Sequence, residues 1–436
     1  MKLTRLALLL PALFALGPLL RAQDEGGGDD AQHQQPPTEI PDFSNLDEYI
    51  YVPRSTVTFG YRFISGVRAR FSGNGTVGAP EGVPSEAPNI QRFYHDGSTE
   101  PDARSTSLDN GNGTSSSVPE NGADGKTNTW SYMDPSQITA DGFLQQNIYS
   151  ATTADTSGLA KTGKANVGME VTITRDGRKL GKRWALNFFG GLSLSDIQAA
   201  TFATMRSNMS TLTDTYDLYG QIPPAPADGT AYESPDTNGG QILISSVPLN
   251  RTITTQPLDN TITTTSGTPG LVVGLTDHDK LHGAYATIRF GPQLVFNAGD
   301  HWHMLFSAGP AILESGSTYT LTEVFQPPTA GVNEATAGNQ IIATLQNVTN
   351  RLLLGYYVDA TLQYDLSDRA GFYLGVFDQS AGGYDQSVNT AGQATSYTLK
   401  GEGTIYAGSA IGPTYYTTHI DFTNQNGMRA GMAYKF

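Results

Sequence analysis

The segment Gly427-Met-Arg-Ala-Gly-Met-Ala-Tyr-Lys-Phe436 restricts the fold more than any other. Met428, Ala430, Met432, Tyr434 and Phe436 fall on one side of an extended chain, and Arg429, Gly431, Ala433 and Lys435 on the other. Successive side chains of a strand point to opposite faces. An apolar face backed by a polar one describes a wall between lipid and a polar interior.

Seven further segments carry the same period. Ser55–Phe71 places Val57, Phe59, Tyr61 and Phe63 outward, and Thr58, Arg62, Arg68 and Arg70 inward. Lys164–Arg175 turns Val167, Met169, Val171 and Ile173 out and Glu170, Thr172 and Thr174 in. Arg183–Ser195, Leu281–Phe296 and His301–Leu313 follow, with Tyr285, Thr287, Arg289 and Gln293 inward on the middle one. Arg351–Asp365 alternates most cleanly, with Leu352 to Tyr364 out and Tyr357, Asp359, Thr361, Gln363 and Asp365 in. Gly371–Gln379 precedes the C-terminal strand.

The connections are unequal. Asp176–Lys182, Asn297-Ala-Gly-Asp300 and Ser367-Asp-Arg369 are short and rich in turn residues. Those at about 72–163, 196–280, 316–350 and 380–418 are long. The expected fold is all-β: a closed, antiparallel, up-and-down transmembrane β-barrel of eight strands, with short periplasmic turns and long extracellular loops. Closure removes the edge strands that lipid cannot tolerate. Pro292 and Pro310 each remove a ladder donor and imply a bulge or local break. If Leu399–Ile405 and Tyr416–Phe422 also crossed, the count would be ten. The eight-strand reading instead gives Ile420 and Phe422 the register of Met428–Phe436, in one long final strand.

At the other end, Lys2 and Arg5 precede the apolar run Leu6–Leu20, followed by Arg21-Ala22. This is the pattern of a secretory signal peptide, 1–22. Residues 23–53, rich in Gln, Pro, Gly and acids, read as a disordered periplasmic leader. The barrel and its loops then occupy 54–436. With no cysteine, neither disulfides nor lipoprotein acylation arise. A net charge of −15 excludes nucleic acid as a partner class. Only 15% of residues are charged, a low share for a soluble domain.

The region Ser55–Phe436 resembles small bacterial outer-membrane β-barrels of the OmpA-transmembrane or OmpX architecture. Phe290-Gly-Pro-Gln-Leu294 running to Ser307-Ala-Gly-Pro310, and Arg92-Phe-Tyr-His-Asp-Gly97 with Trp130-Ser-Tyr132, resemble uncharacterised envelope proteins of this layout. The last strand, ending in Phe, resembles the signal such barrels present to their assembly machinery. The resemblance implies that Met428, Met432, Tyr434 and Phe436 carry that signal. It also implies outer-membrane lipid and the assembly machinery as partners, with surface ligands reached through the loops, and a monomer. It supplies a location and no ligand.

Side chains fill the interior of an eight-stranded barrel. Arg62, Glu170, Arg289, Asp359 and Arg429 come out inward at mid-membrane height, which predicts a paired lumen network. Such a network either plugs the barrel or lines a pore. A plugged barrel acts structurally or adhesively through its loops, whereas a porin-like channel needs more strands or an open lumen. A surface hydrolase is the third reading, through Asp277, Asp279 and His282 at the outer rim, where a carboxylate and a His activate water. No nucleophile motif accompanies them, and no catalytic residue is assigned. His301 and His303 flank Trp302 on one face, where a metal pair is geometrically possible; the reading taken is a girdle-edge pair without a metal. Asp109-Asn-Gly-Asn-Gly113 has Ca²⁺ ligands in an order unlike an EF-hand. No pattern calls for a cofactor.

Overall fold

The computed structural model describes residues 54–78, 86–153, 159–162, 166–227, 230–235, 241–258, 274–326, 341–389 and 414–436. All lie in the compact unit Pro53–Phe436. The expected signal peptide, the leader and Leu399–Ile405 lie outside the described residues.

The chain is all-β and antiparallel, with eight strands in one closed barrel. These are β1 (Ser55–Ser65), β2 (Asn166–Lys179), β3 (Trp184–Met205), β4 (Gly274–Asn297), β5 (Trp302–Gln326), β6 (Ile341–Asp365), β7 (Ala370–Ala381) and β8 (Gln425–Lys435). Neighbours in sequence are neighbours in the barrel, and β8 closes on β1, with Thr56 opposite Lys435. The backbones of Ser55 and Phe436 complete that seam with two hydrogen bonds.

The outer face of the lower barrel is apolar. Phe59, Tyr61 and Phe63 on β1, Leu352, Leu354 and Tyr356 on β6 and Met428, Met432 and Tyr434 on β8 are all exposed. Above Ile312 on β5 and Leu352 on β6 the outward positions turn mostly polar, with Glu314, Thr318 and Thr320, then Asn350 and Gln346, and with Val348 and Ile342 as apolar exceptions. Pro292 and Pro310 both point outward in this belt. The β4–β5 pairing skips the three pairs between them and resumes in the same register, from Arg289↔Ala311 to Gln293↔Ser307. The prolines therefore cost ladder bonds without shifting the strands. The irregularity falls instead between Arg175 and Arg178.

Above the belt the barrel flattens into a sandwich of two four-stranded layers. The upper ends of β3, β4, β5 and β6 stay paired and form one layer. This corrects the expected loops, because 196–205, 274–280, 316–326 and 341–350 are strand. The other layer is a separate sheet, ordered Leu159–Thr162, Arg68–Asn74, Tyr415–Asp421, Gly383–Asn389. Its strands lie next in sequence to β2, β1, β8 and β7 and keep their order. The ten-strand alternative fails here, since Tyr415–Asp421 belongs to this cap and not to the barrel.

The bend into the cap also corrects the first strand. The expected Ser55–Phe71 breaks at Gly66, whose φ is +98°. Before it, Arg62 and Ile64 face in; after it, Val67, Ala69 and Phe71 do. Arg68 and Arg70, expected inward, are exposed. A side chain at Gly66 would strike the Asn424 carbonyl at 1.7 Å. Opposite, the chain turns through Phe422, which is fully buried, so Ile420 and Phe422 do not extend β8 in its outward register.

The two layers bury one apolar core, including Phe71, Leu281, Tyr285, Leu313, Tyr319, Leu321 and Phe325. A second core, around Tyr94, Trp130, Tyr132, Leu144, Tyr216 and Tyr232, holds an outer lobe built on Phe143–Thr153, Ser207–Asp217 and Asn250–Leu258.

Candidate functional site: the filled lumen

The lumen has three levels. The lowest is a cavity of about 340 Å³ on the side of the short turns, lined by Thr58, Thr172, Asn187, Gln293 and Gln363. Near it, His303 Nε2 lies 2.9 Å from Asp365 Oδ2, which Lys435 also contacts. His303 Nδ1 meets Asn297 Oδ1 at 2.6 Å, and His301 Nδ1 meets the Asp365 carbonyl at 3.0 Å. Both ring nitrogens of His303 are thereby taken, so it has none left for a metal shared with His301.

The middle level brings Arg62, Glu170, Arg289, Asp359 and Arg429 together, all buried. Glu170 is the hub. It meets Arg289 at 2.8 Å, Arg429 at 3.4 Å and Arg62 at 3.5 Å. Asp359 holds Arg429 at 2.7 Å. Arg62 and Arg429 stand directly opposite across the β1–β8 seam. Like charges placed so repel, and the hub carboxylate between them offsets this. Gly60 keeps the space open, since a Cβ there would meet the Tyr373 hydroxyl at 2.2 Å.

Polar and aromatic partners complete the belt. Arg62 Nη1 donates to Ser193 Oγ at 2.6 Å, and Arg429 Nη2 to Thr361 Oγ1 at 2.6 Å. The Tyr373 hydroxyl donates to Glu170 at 3.1 Å. Guanidinium carbons lie over Phe377 at 3.9 Å, Tyr357 at 5.5 Å and Tyr373 at 5.7 Å. Cations over aromatic faces are stabilised most when water is excluded. Sequence reasoning assigned Tyr357 inward but passed over Phe189, Tyr373 and Phe377. Strand parity marks all three: Phe377 and Tyr373 share the face of Gln379, and Phe189 that of Asn187.

The top level is apolar. Phe422 meets Tyr285 edge-on at 5.3 Å and stacks with Tyr384 at 6.3 Å. Ser315, Ser317 and Gln386 hydrogen-bond around Tyr384. Beyond them, among the core side chains, stand Asp277, Asp279 and Glu323.

The hydrolase reading loses its geometry here. Asp277 and Asp279 face the interior and are buried, while His282 is exposed on the opposite face of the same strand. Odd and even positions on one strand do not converge. The Asp277 and Asp279 carboxylates instead meet tyrosine hydroxyls, Tyr416 at 2.9 Å and Tyr319 at 2.6 Å. Glu323, which fell in an expected loop, completes this cluster. Among the described residues the acids close enough to share a metal are Asp102, Glu120 and Asp124 in the outer lobe, and Arg104 already bridges all three. Asp109 caps its own exposed hairpin turn through the Gly111 amide.

Met428, Met432, Tyr434 and Phe436 lie exposed along the outer face of β8 and just past it.

No family model and no curated protein matches the chain. Solved structures similar to it include the outer membrane protein OprG from Pseudomonas aeruginosa, at 10% identity and a TM-score of 0.19, covering 88% of this chain and 96% of that one. A Pseudomonas aeruginosa FadL homologue follows at 8% identity and 0.17, covering 88% and 90%. The P. putida toluene transporter TodX follows at 6% identity and 0.17, with the same coverage. At such TM-scores these likenesses carry no argument, and the architecture rests on the strand pairing itself.

Proposed function

We propose that the protein is an outer-membrane β-barrel whose lumen is a plug. Its work is done by the β-structure carried outside the cell, in surface contact or adhesion. The carrying observation is the filling of the lumen above its lower cavity by a charged belt under an apolar stopper. The belt of outward Phe, Leu, Tyr and Met supports the membrane placement. On this reading the signal peptide, 1–22, exports the chain, and Met428, Met432, Tyr434 and Phe436 present it to the assembly machinery. Outer-membrane lipid surrounds a monomer.

Two measurements test this. The refolded protein in a planar bilayer is expected to show no conductance steps; stable stepwise conductance overturns the plug and makes Arg62, Arg289 and Arg429 a selectivity lining. Because the chain has no cysteine, single replacements report topology. Ser116→Cys on the outer-lobe hairpin is expected to react with a membrane-impermeant maleimide on intact cells, and Ser367→Cys in a short turn is not. The reverse labelling overturns the placement of the lobe outside.

A further inference from the structure

We propose that Asp277, Glu323 and Tyr416 form a proton-operated latch that holds the capping sheet against the upper barrel and releases it as the two carboxyl groups ionise. Asp277 on β4 and Glu323 on β5 are cross-strand partners facing the same interior. Tyr416, from the capping strand Tyr415–Asp421, places its hydroxyl 2.9 Å from Asp277 Oδ2 and 3.0 Å from Glu323 Oε1. One hydroxyl carries one proton and donates it to one acceptor. Its second carboxyl contact is a hydrogen bond only when that carboxyl carries a proton of its own and donates it to the tyrosine oxygen. With both acids ionised, one contact becomes oxygen lone pair against oxygen lone pair, and two like charges stand directly opposite across a ladder.

Among the described residues no counter-cation relieves this. Asp279 lies on the same face of β4 and is held by Tyr319 on β5 at 2.6 Å. The strand Phe143–Thr153 presents Tyr149 to this core and Thr153, whose hydroxyl meets Tyr416 at 3.0 Å. The layers from β3, β6, Ser207–Asp217 and Asn250–Leu258 present Ile197, Ala199, Ala343, Leu345, Met209 and Leu258, none titratable. Gly383–Asn389 presents Tyr384 and turns Asp385 outward. Arg68, Arg70 and His419 lie exposed on the far faces of their strands, as do His278 and Lys280 on β4. Among these His278 acts on Asp279 through the strand. Asp277 Oδ1 and Glu323 Oε2 are buried without a partner.

The cluster stands clear of the membrane. Asp277 is twenty residues up β4 from Asn297, roughly 50 Å at ~3.3 Å per residue and ~40° tilt, against an apolar band about 25 Å tall. Burial pushes the Asp277 carboxyl up to about 7 and Asp279 up to about 6; burial and the Asp277 charge push Glu323 up to about 8. A carboxyl raised above its unfolded value stabilises the fold fully at low pH, and that contribution is lost as pH rises through the folded value. The latch is therefore strongest near the ordinary carboxyl values, about pH 4, and weakens progressively as pH rises to about 8.

Hydrogen exchange at the amides of Arg68–Asn74 and Tyr415–Asp421 tests it, on the refolded full chain and corrected for intrinsic rate. The parent is expected to lose about tenfold or more protection between pH 6 and pH 9, the equivalent of one unit of differential proton binding. The neutral double variant Asp277→Asn, Glu323→Gln is expected to stay protected throughout, with heat-modifiable gel mobility as its folding control. If it does not fold, the single Glu323→Gln takes its place, with the same expectation. A flat parent profile overturns the latch, and so does a neutral variant that opens with the parent. Restoration of the parent at pH 9 by millimolar Ca²⁺, absent in the variant, overturns it too and makes the occupant a cation. Exchange reads the cap and conductance reads the lumen, so the latch and the plug fail separately.

Discussion

Two buried groups of carboxylates sit in one molecule and are neutralised in opposite ways. In the barrel, Glu170 and Asp359 are bound by three arginines. Under the cap, Asp277, Asp279 and Glu323 of the upper barrel meet tyrosine hydroxyls and, among the described residues, no arginine or lysine. A carboxylate removed from water needs a counter-charge or a proton. The barrel uses charges held on rigid strands and is built to stay filled. The cap uses protons, which exchange with the medium.

The largest effect belongs to the hub. Glu170→Ala leaves Arg62 and Arg289 without their carboxylate and strips one from Arg429, which breaks a buried network at about 3–5 kcal/mol. The urea midpoint of the refolded protein is expected to collapse, and an unchanged midpoint means the belt is wet. Gly66→Ala comes next, at the junction of barrel and cap. A positive φ alone costs a non-glycine residue about 1–2 kcal/mol, and the clash with Asn424 adds to that. Cap amides should exchange faster while the barrel keeps its gel mobility; uniform loss would make the two regions a single unit. Tyr416→Phe removes one hydroxyl, worth about 1–2 kcal/mol at a buried site. It should lower cap protection in mild acid and flatten the pH profile, and a profile that keeps the parent's slope would leave the carboxyls alone as the switch. Lys435→Ala at the lower mouth is the smallest, about 0–1 kcal/mol because the lysine is partly exposed. A larger loss would show that the lower cavity is as dry as the belt.

The barrel was legible in the sequence because an apolar outer face around a polar lumen shows as a period of two with apolar residues outward. On β5 this runs from Trp302 through Met304 and Phe306 to Ile312. The same strand continues above the apolar belt with the period intact and the phase reversed, Leu313, Tyr319, Leu321 and Phe325 pointing in and Glu314, Thr318 and Thr320 out. A search for apolar-outward strands ends at that reversal and reads the remainder as loop. Glu323 was missed for this reason. Arg68 and Arg70 were misassigned for another, since the bend at Gly66 exchanges the faces within a continuous alternating run. The belt itself needed only parity and height, which placed Arg62, Glu170, Arg289, Asp359 and Arg429 together.

The seam between β1 and β8 runs on past the rim as the pair Arg68–Asn74 and Tyr415–Asp421, bent across the mouth. These partners are far apart in sequence, and such contacts form late and slowly. An unfinished barrel, with its first and last strands still apart, therefore has no stopper either. The same meeting of first and last segments that seals the wall also brings together the two central strands of the cap.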